Sequence, residues 1–312
     1  MHTQLRRDFR YFGYSGLWLL MTALFLLGAL MICHINDQHA RMNIITYQRS
    51  AEIAERDGED IQALIEQGYS NLVIGENGGG VENPIAYYYE QTGISLDNMQ
   101  PRRLVPLLMA GELALAPLLA AFFGLLWVSA DYKNRTFRDR AIRFGKQSAV
   151  ISRQLSGSLI LLLMLMIAVL AAFGFQAYFR HAFYADFPDA VTTFPMSTES
   201  VPAVTHLKCI AFVLFIMLLF YEFGFAAGSL FRQNPVSYAL VGAYVIFSRP
   251  VLRYGIANII GRFAQKIFPF TGATTLTPGK PIALLPGALI LIAALLVLIA
   301  LNSVIVQKRS AY

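Results

Sequence analysis

The chain has 312 residues, of which 56% are hydrophobic and only 14% charged, with a formal net charge of +6 and a mean hydropathy of +0.52. A soluble domain carries roughly 25% charged residues. That deficit, together with several uncharged runs of spanning length, excludes an ordinary soluble domain and places the chain in the membrane class. Its two cysteines, Cys33 and Cys209, point to no disulfide framework and no metal cluster.

The first apolar run begins at Tyr14 and reaches Cys33. It is too long for a signal-peptide core of about 7–15 residues, and no small-residue cleavage site follows it. It predicts a retained span over 14–35. Residues 36–103 are polar and form a segment between spans one and two. Within it, residues 51–67 alternate acids with Ile53, Ile61, Leu64 and Ile65, which predicts a short amphipathic helix. Gly78-Gly79-Gly80 marks a turn. Tyr87-Tyr88-Tyr89 forms an aromatic cluster suited to interface packing or to ligand contact.

Residues 104–130 predict the second span, with Glu112 inside it and Pro106 and Pro117 on either side. The two prolines are expected to kink that helix. Residues 131–153 follow as a sharply bounded polar stretch with seven Lys/Arg and two Asp. Phe137, Ile142, Phe144, Val150 and Ile151 interleave apolar groups among those charges. This fits a short amphipathic helix that lies on a surface or enters a partner's groove.

Residues 154–179 predict the third span, and 180–208 the loop after it. Residues 209–231 predict the fourth span, which contains Glu222 and the close-packing motif Gly224-x-x-x-Gly228. A turn at 232–235 leads to a shorter apolar run over 236–249, which ends at Arg249-Pro250 and is taken as span five. Residues 250–281 form a half-apolar segment with no acid. Residues 282–306 form the last span, and 307–312 a tail. The expected fold is an all-α integral membrane protein with six transmembrane helices.

Orientation follows from the positive-inside tendency. With both termini inside, the inner segments hold 13 Lys/Arg in 46 residues, and the outer ones hold 12 in 130. The outer segments also carry 14 of the 19 acids. Both termini are therefore expected on the cytoplasmic side, with 36–103 as an extracytoplasmic insertion.

The motif G-x-x-x-x-G-K-[ST] that wraps nucleotide phosphates is absent, since Gly279-Lys280 is followed by Pro281. Gly13-Tyr14-Ser15-Gly16 mimics an intramembrane serine protease signature, but no histidine lies within a later span to act as its base. No catalytic set, metal set or cofactor motif is visible. Glu112 and Glu222 are the intramembrane acids, and such groups mark a substrate path or a helix–helix hydrogen bond.

At the basic stretch the sequence resembles the ABC-2 type permeases, the membrane-spanning subunits of bacterial ABC exporters. Asp131, Asn134, Thr136, Phe137, Arg138, Gly145, Lys146 and Arg153 fit the run these permeases carry between spans two and three, while Arg135 and Ser148 depart from it. The resemblance implies a multi-pass protein of the cell membrane that exports a peptide, drug or lipid-like amphiphile. It implies a second permease subunit, identical or not, and a cytoplasmic ATPase subunit that supplies the ATP and Mg chemistry. Membrane lipid is a further partner, and nucleic acid is not expected. Thr136, Phe137, Arg138, Arg140, Arg143, Phe144 and Gly145 are then the residues that couple to the ATPase. Residues 1–13 would form an amphipathic elbow with Leu5, Phe9 and Phe12 on its apolar face and Arg6, Arg7 and Arg10 toward headgroups. Residues 250–281 would form a re-entrant outer hairpin, and Glu112 and Glu222 would line the substrate path. Two other classes stand beside this reading: a membrane-embedded enzyme that uses one of those glutamates, and a non-transporting sensor or immunity protein that binds its ligand through residues 36–103.

Overall fold

Inside a bilayer a long apolar run satisfies its backbone polar groups by becoming a helix. The computed structural model describes residues 2–69, 72–75, 78–133, 136–197, 201–231, 238–239, 241–242, 254–268 and 280–308. Five helices in it are long and apolar enough to cross a membrane. They are α2 (Leu17–Arg56), α5 (Pro101–Lys133), α7 (Lys146–Asp186), α9 (Ala203–Phe231) and most of α11 (Leu284–Lys308). The short helices are α1 (His2–Tyr14), α3 (Ile61–Gln67), α4 (Pro84–Asn98), α6 (Thr136–Phe144), α8 (Ala190–Thr193) and α10 (Ile256–Ile267). A hairpin of β1 (Leu72–Gly75) and β2 (Gly78–Val81) pairs antiparallel, with Leu72 opposite Val81. This architecture is compatible with a multi-pass helical membrane protein.

The helices run past the apolar bounds read from the sequence. At about 1.5 Å per residue, the 40 residues of α2 extend about 60 Å, some twice the hydrocarbon thickness. The span expected at 14–35 thus continues without a break to Arg56, and Tyr14 belongs to α1 instead. The span expected at 154–179 belongs to a helix from Lys146 to Asp186. Hydropathy marks only the stretch that matches lipid, and nothing in the polar flanks stops either helix. The amphipathic helix expected over 51–67 is split, because Gly58 turns the chain at φ +77° between α2 and α3. Pro106 and Pro117 both lie inside an uninterrupted α5. The run at 236–249 lies outside the described residues apart from 238–239 and 241–242.

The core is built around the α5–α9 pair. A Cβ at Gly224 would overlap the Ala121 carbonyl oxygen, and one at Gly124 would overlap the Tyr221 carbonyl oxygen. Glycine at these places lets the two backbones meet, which is how small residues tighten helices where lipid is as apolar as the side chains. Trp127, Phe123, Tyr221 and Phe225 fill the adjoining space, all at most 1% exposed.

The helices sort by direction. His206 at the start of α9 lies 3.1 Å from the carbonyl of Arg102 at the start of α5, so these two run parallel. Cys209 approaches the Ile267 carbonyl and Phe212 meets Phe263 and Phe268, so α10 packs on the beginning of α9. Gly287 of α11 sits against Ile259 and Phe263 of α10, and Asn302 reaches Glu222 further along α9. Hence α11 is parallel to α9 as well.

Beyond the core, the extensions of α2 and α7 enclose a second apolar cluster. It comprises Ala40, Ile44, Leu96, Met99, Phe183, Ala190 and Phe194, with Tyr47 and Tyr89 packed against it. Tyr89 of the triple-tyrosine run meets Tyr47 and Phe194 here with tilted rings, while Tyr87 meets Tyr69 and Tyr88. Asn83 starts α4 by accepting from the Ala86 N–H and ties it to α3 by donating to the carbonyls of Leu64 and Gly68. This is the far end of the bundle, opposite α1 and α6.

Candidate functional site

The basic stretch at 131–153 folds into the last residues of α5, the nine-residue helix α6 and the first turns of α7. Gly145 makes the corner between α6 and α7 at φ +82°, a left-handed conformation that favours glycine. At the entry to α6, the Thr136 hydroxyl donates to Asp131 Oδ1 at 2.7 Å.

Four charged side chains from four helices meet behind α6. Arg140 Nη2 lies 2.5 Å from Asp8 Oδ1 of α1, and its Nη1 lies 3.8 Å from Asp131 Oδ2 of α5. Arg153 of α7 reaches Asp131 Oδ2 at 2.8 Å and Asp8 Oδ1 at 3.3 Å. Two anions thus alternate with two cations and the local charge cancels. All four are at most 5% exposed. Arg153 also donates to the Trp127 carbonyl at 2.9 Å and lies 3.4 Å above the centre of the Trp127 ring. The Ser152 hydroxyl donates to Asp8 Oδ2 at 3.3 Å. Burying four charges is costly, and only mutual pairing of this kind offsets the lost hydration.

Helical periodicity divides α6. Arg140 faces inward, whereas Arg138, Asp139, Ile142, Arg143 and Phe144 are exposed, Ile142 by 72%. Thr136 is half-buried and Gly145 exposed, and the side chain of Phe137 lies outside the described ones. Of the expected coupling residues, Arg140 lies on the inner side, its guanidinium paired with Asp8 and Asp131. The outward surface is basic and apolar together. Arg7 of α1 stacks over Phe144 at 5.8 Å, and burial, with the Arg140 charge second, lowers the Arg7 pKa below its ordinary value.

In α1 the buried stripe is Gln4, Asp8 and Phe12, at i, i+4 and i+8, while Leu5 and Phe9 are half-buried. The carboxylate of Asp8 points inward because Ser152, Arg140 and Arg153 receive it there. One acid among three arginines in the first 13 residues was the sequence signal for this role.

Comparison with protein-family models, with curated proteins and with solved structures gives no match.

The two intramembrane glutamates sit in different surroundings. Glu222 Oε2 accepts from Gln154 Nε2 of α7 and from Asn302 Nδ2 of α11, each at 2.7 Å. Asn302 also donates to the Glu222 backbone carbonyl at 3.1 Å. This polar staple joins three helices just beneath the four-charge cluster, where Tyr221 donates to the Arg153 carbonyl at 3.1 Å. Gln154 and Asn302 escaped sequence reading, although a lone Asn in the apolar run of α11 was a usable signal. Glu112 is 0% exposed, and neither of its carboxylate oxygens has a hydrogen-bond partner among the described residues. The structure does not bring the two glutamates into one site.

Cys33 and Cys209 are both free and buried, in separate contacts. Ser15 of the protease-like motif donates to the Phe12 carbonyl at the junction of α1 and α2. Among the described residues no group of three His, Cys, Asp or Glu side chains is placed to hold a metal ion.

Proposed function

We propose that the chain is the permease subunit of an ATP-binding cassette exporter in a bacterial cell membrane. It moves an amphiphilic substrate outward, and a separate cytoplasmic ATPase subunit binds ATP and Mg and supplies the energy. The chain pairs with a second permease subunit and keeps both termini on the cytoplasmic side. The observation that carries this reading is the division of α6. Its inner residue Arg140 is tied through Asp8, Asp131 and Arg153 to α1, α5 and α7. Its outer residues Arg138, Ile142 and Arg143 are exposed to a partner's groove. A push on α6 is transmitted to three helices at once, two of which are long enough to span.

Two further points support it. The helices α9 and α11 run in the same direction, which supports a sixth crossing between them. The amphipathic α10 buries Asn258, Ile259, Ile260 and Ala264 against α9 and α11 and leaves Arg262 and Lys266 outward, which suits a re-entrant element at the far face.

The test is purification of the tagged protein in mild detergent, followed by crosslinking from α6. A stoichiometric P-loop ATPase is expected, with crosslinks at Arg138 and Arg143. The double substitution R138E/R143E is expected to insert normally and to lose ATP-driven transport. Absence of an ATPase even after in-cell crosslinking, or normal transport by that variant, would overturn the reading.

A further inference from the structure

Glu112 is the one intramembrane acid whose placement the packing leaves unexplained. It lies between α5 and α2, where Gly28 faces it; a Cβ at position 28 would stand 3.0 Å from Glu112 Oε1. On the same contact Gly111 meets Ile32, whose Cδ1 lies 2.6 Å from where a Cβ would be. The carboxylate thus faces Gly28, beside the apolar Gly111–Ile32 contact, with both oxygens unsatisfied among the described residues. Burying an acid without a donor is costly. A core that only needed volume at this place is better served by leucine or methionine, so the acid calls for a ligand.

The geometry points to that ligand. We propose that Glu112 is the recognition group for the transported substrate, and that the substrate is an apolar molecule bearing a primary ammonium or guanidinium group. This rests on the exporter reading and names its substrate class. Two unpaired acceptor oxygens suit a cation that brings N–H donors, and a guanidinium offers two in parallel. The apolar contact beside Glu112 selects the rest of the molecule. The helix that must move to admit it is α2, the more peripheral of the pair: 28% of its apolar window is buried, against 61% for α5. Gly28 leaves room for the Glu112 carboxylate against α2.

The test needs this chain alone, as detergent-purified full-length protein, with equilibrium dialysis of three octyl probes: octylguanidinium, octyltrimethylammonium and octanol. Differences between wild type and variants cancel partition into the micelle. Wild type is expected to bind octylguanidinium about tenfold or more tightly than either other probe, the scale of a charge-assisted pair. E112Q is expected to abolish that preference and E112D to retain part of it. G28A keeps the charge but crowds Oε1, and is expected to weaken octylguanidinium specifically. Equal binding of the three probes by wild type, or an unchanged preference in E112Q, overturns the proposal. If E112Q does not yield folded protein, an unchanged preference in G28A overturns it instead. Failure here alongside a copurifying ATPase sinks the substrate class alone; selective binding without any ATPase sinks the exporter reading alone.

Discussion

At the α6 end, Asp8, Asp131, Arg140 and Arg153 are at most 5% exposed. At the far end the side chains of Arg41, Arg102 and Arg103 remain 23%, 28% and 17% exposed while they pair with Asp37, Asp186 and Asp97. The chemistry is the same and the distances are similar, from 2.5 to 2.9 Å at the far end. What differs is access of water. Far-end pairs trade hydration for contact at little net gain, because solvent screens them and the long arginines lose freedom. Buried pairs gain little relative to an apolar core but are very costly to break singly, because the survivor is stranded. The far-end pairs join α2 to α7 and α4 to α5. The buried set fixes the relative placement of four helices.

Breaking one partner of the buried set has the largest expected effect. D8A leaves Arg140 and Arg153 short of an anion and is expected to cost about 3–5 kcal/mol, read as loss of monodisperse protein or a lower midpoint in detergent thermal unfolding. Next comes overpacking of the pair that supports the cluster. G224L forces α9 from α5, and a cost of about 1–3 kcal/mol or more is expected in the same assay. Removal of the polar staple follows: N302A takes away both donors that Asn302 offers Glu222, for about 1–3 kcal/mol. It is expected to be subadditive with E222Q in a double-mutant cycle, since the two share one network.

The far end gives the smallest effect. D186A, which removes a carboxylate 56% exposed, is expected to cost only about 1 kcal/mol. Raising salt should erase much of the difference between wild type and D186A while leaving the D8A deficit intact, because exposed pairs are screened and buried ones are not. If D186A proves as damaging as D8A, burial is not what distinguishes the two pairs.

How much was legible depended on which physical term set each feature. The basic stretch could be read as a short amphipathic helix, and α6 lies within it, because charge and apolar groups alternated there at helical spacing. The inward turn of Arg140 was hidden, since Arg138, Arg140 and Arg143 look alike on one strand of sequence. The inward side of α1 was legible in part: Phe12 is buried and Leu5 and Phe9 half-buried, as apolar periodicity suggested, whereas the burial of Asp8 was hidden because its partners lie more than a hundred residues away. Glu112 and Glu222 were both visible as acids in apolar runs, but their difference was not.

The sequence by itself determined that the chain is helical and rich in spanning segments, because backbone satisfaction in lipid depends only on the length and polarity of a run. It also placed the basic helix and the small-residue contact on α9. Tertiary structure alone decided how far α2 and α7 continue, which charges are consumed in pairs, and that Glu222 is held by Gln154 and Asn302 while Glu112 is not. Those outcomes depend on helix rotation and on partners distant in sequence, which a local pattern can flag but not pair.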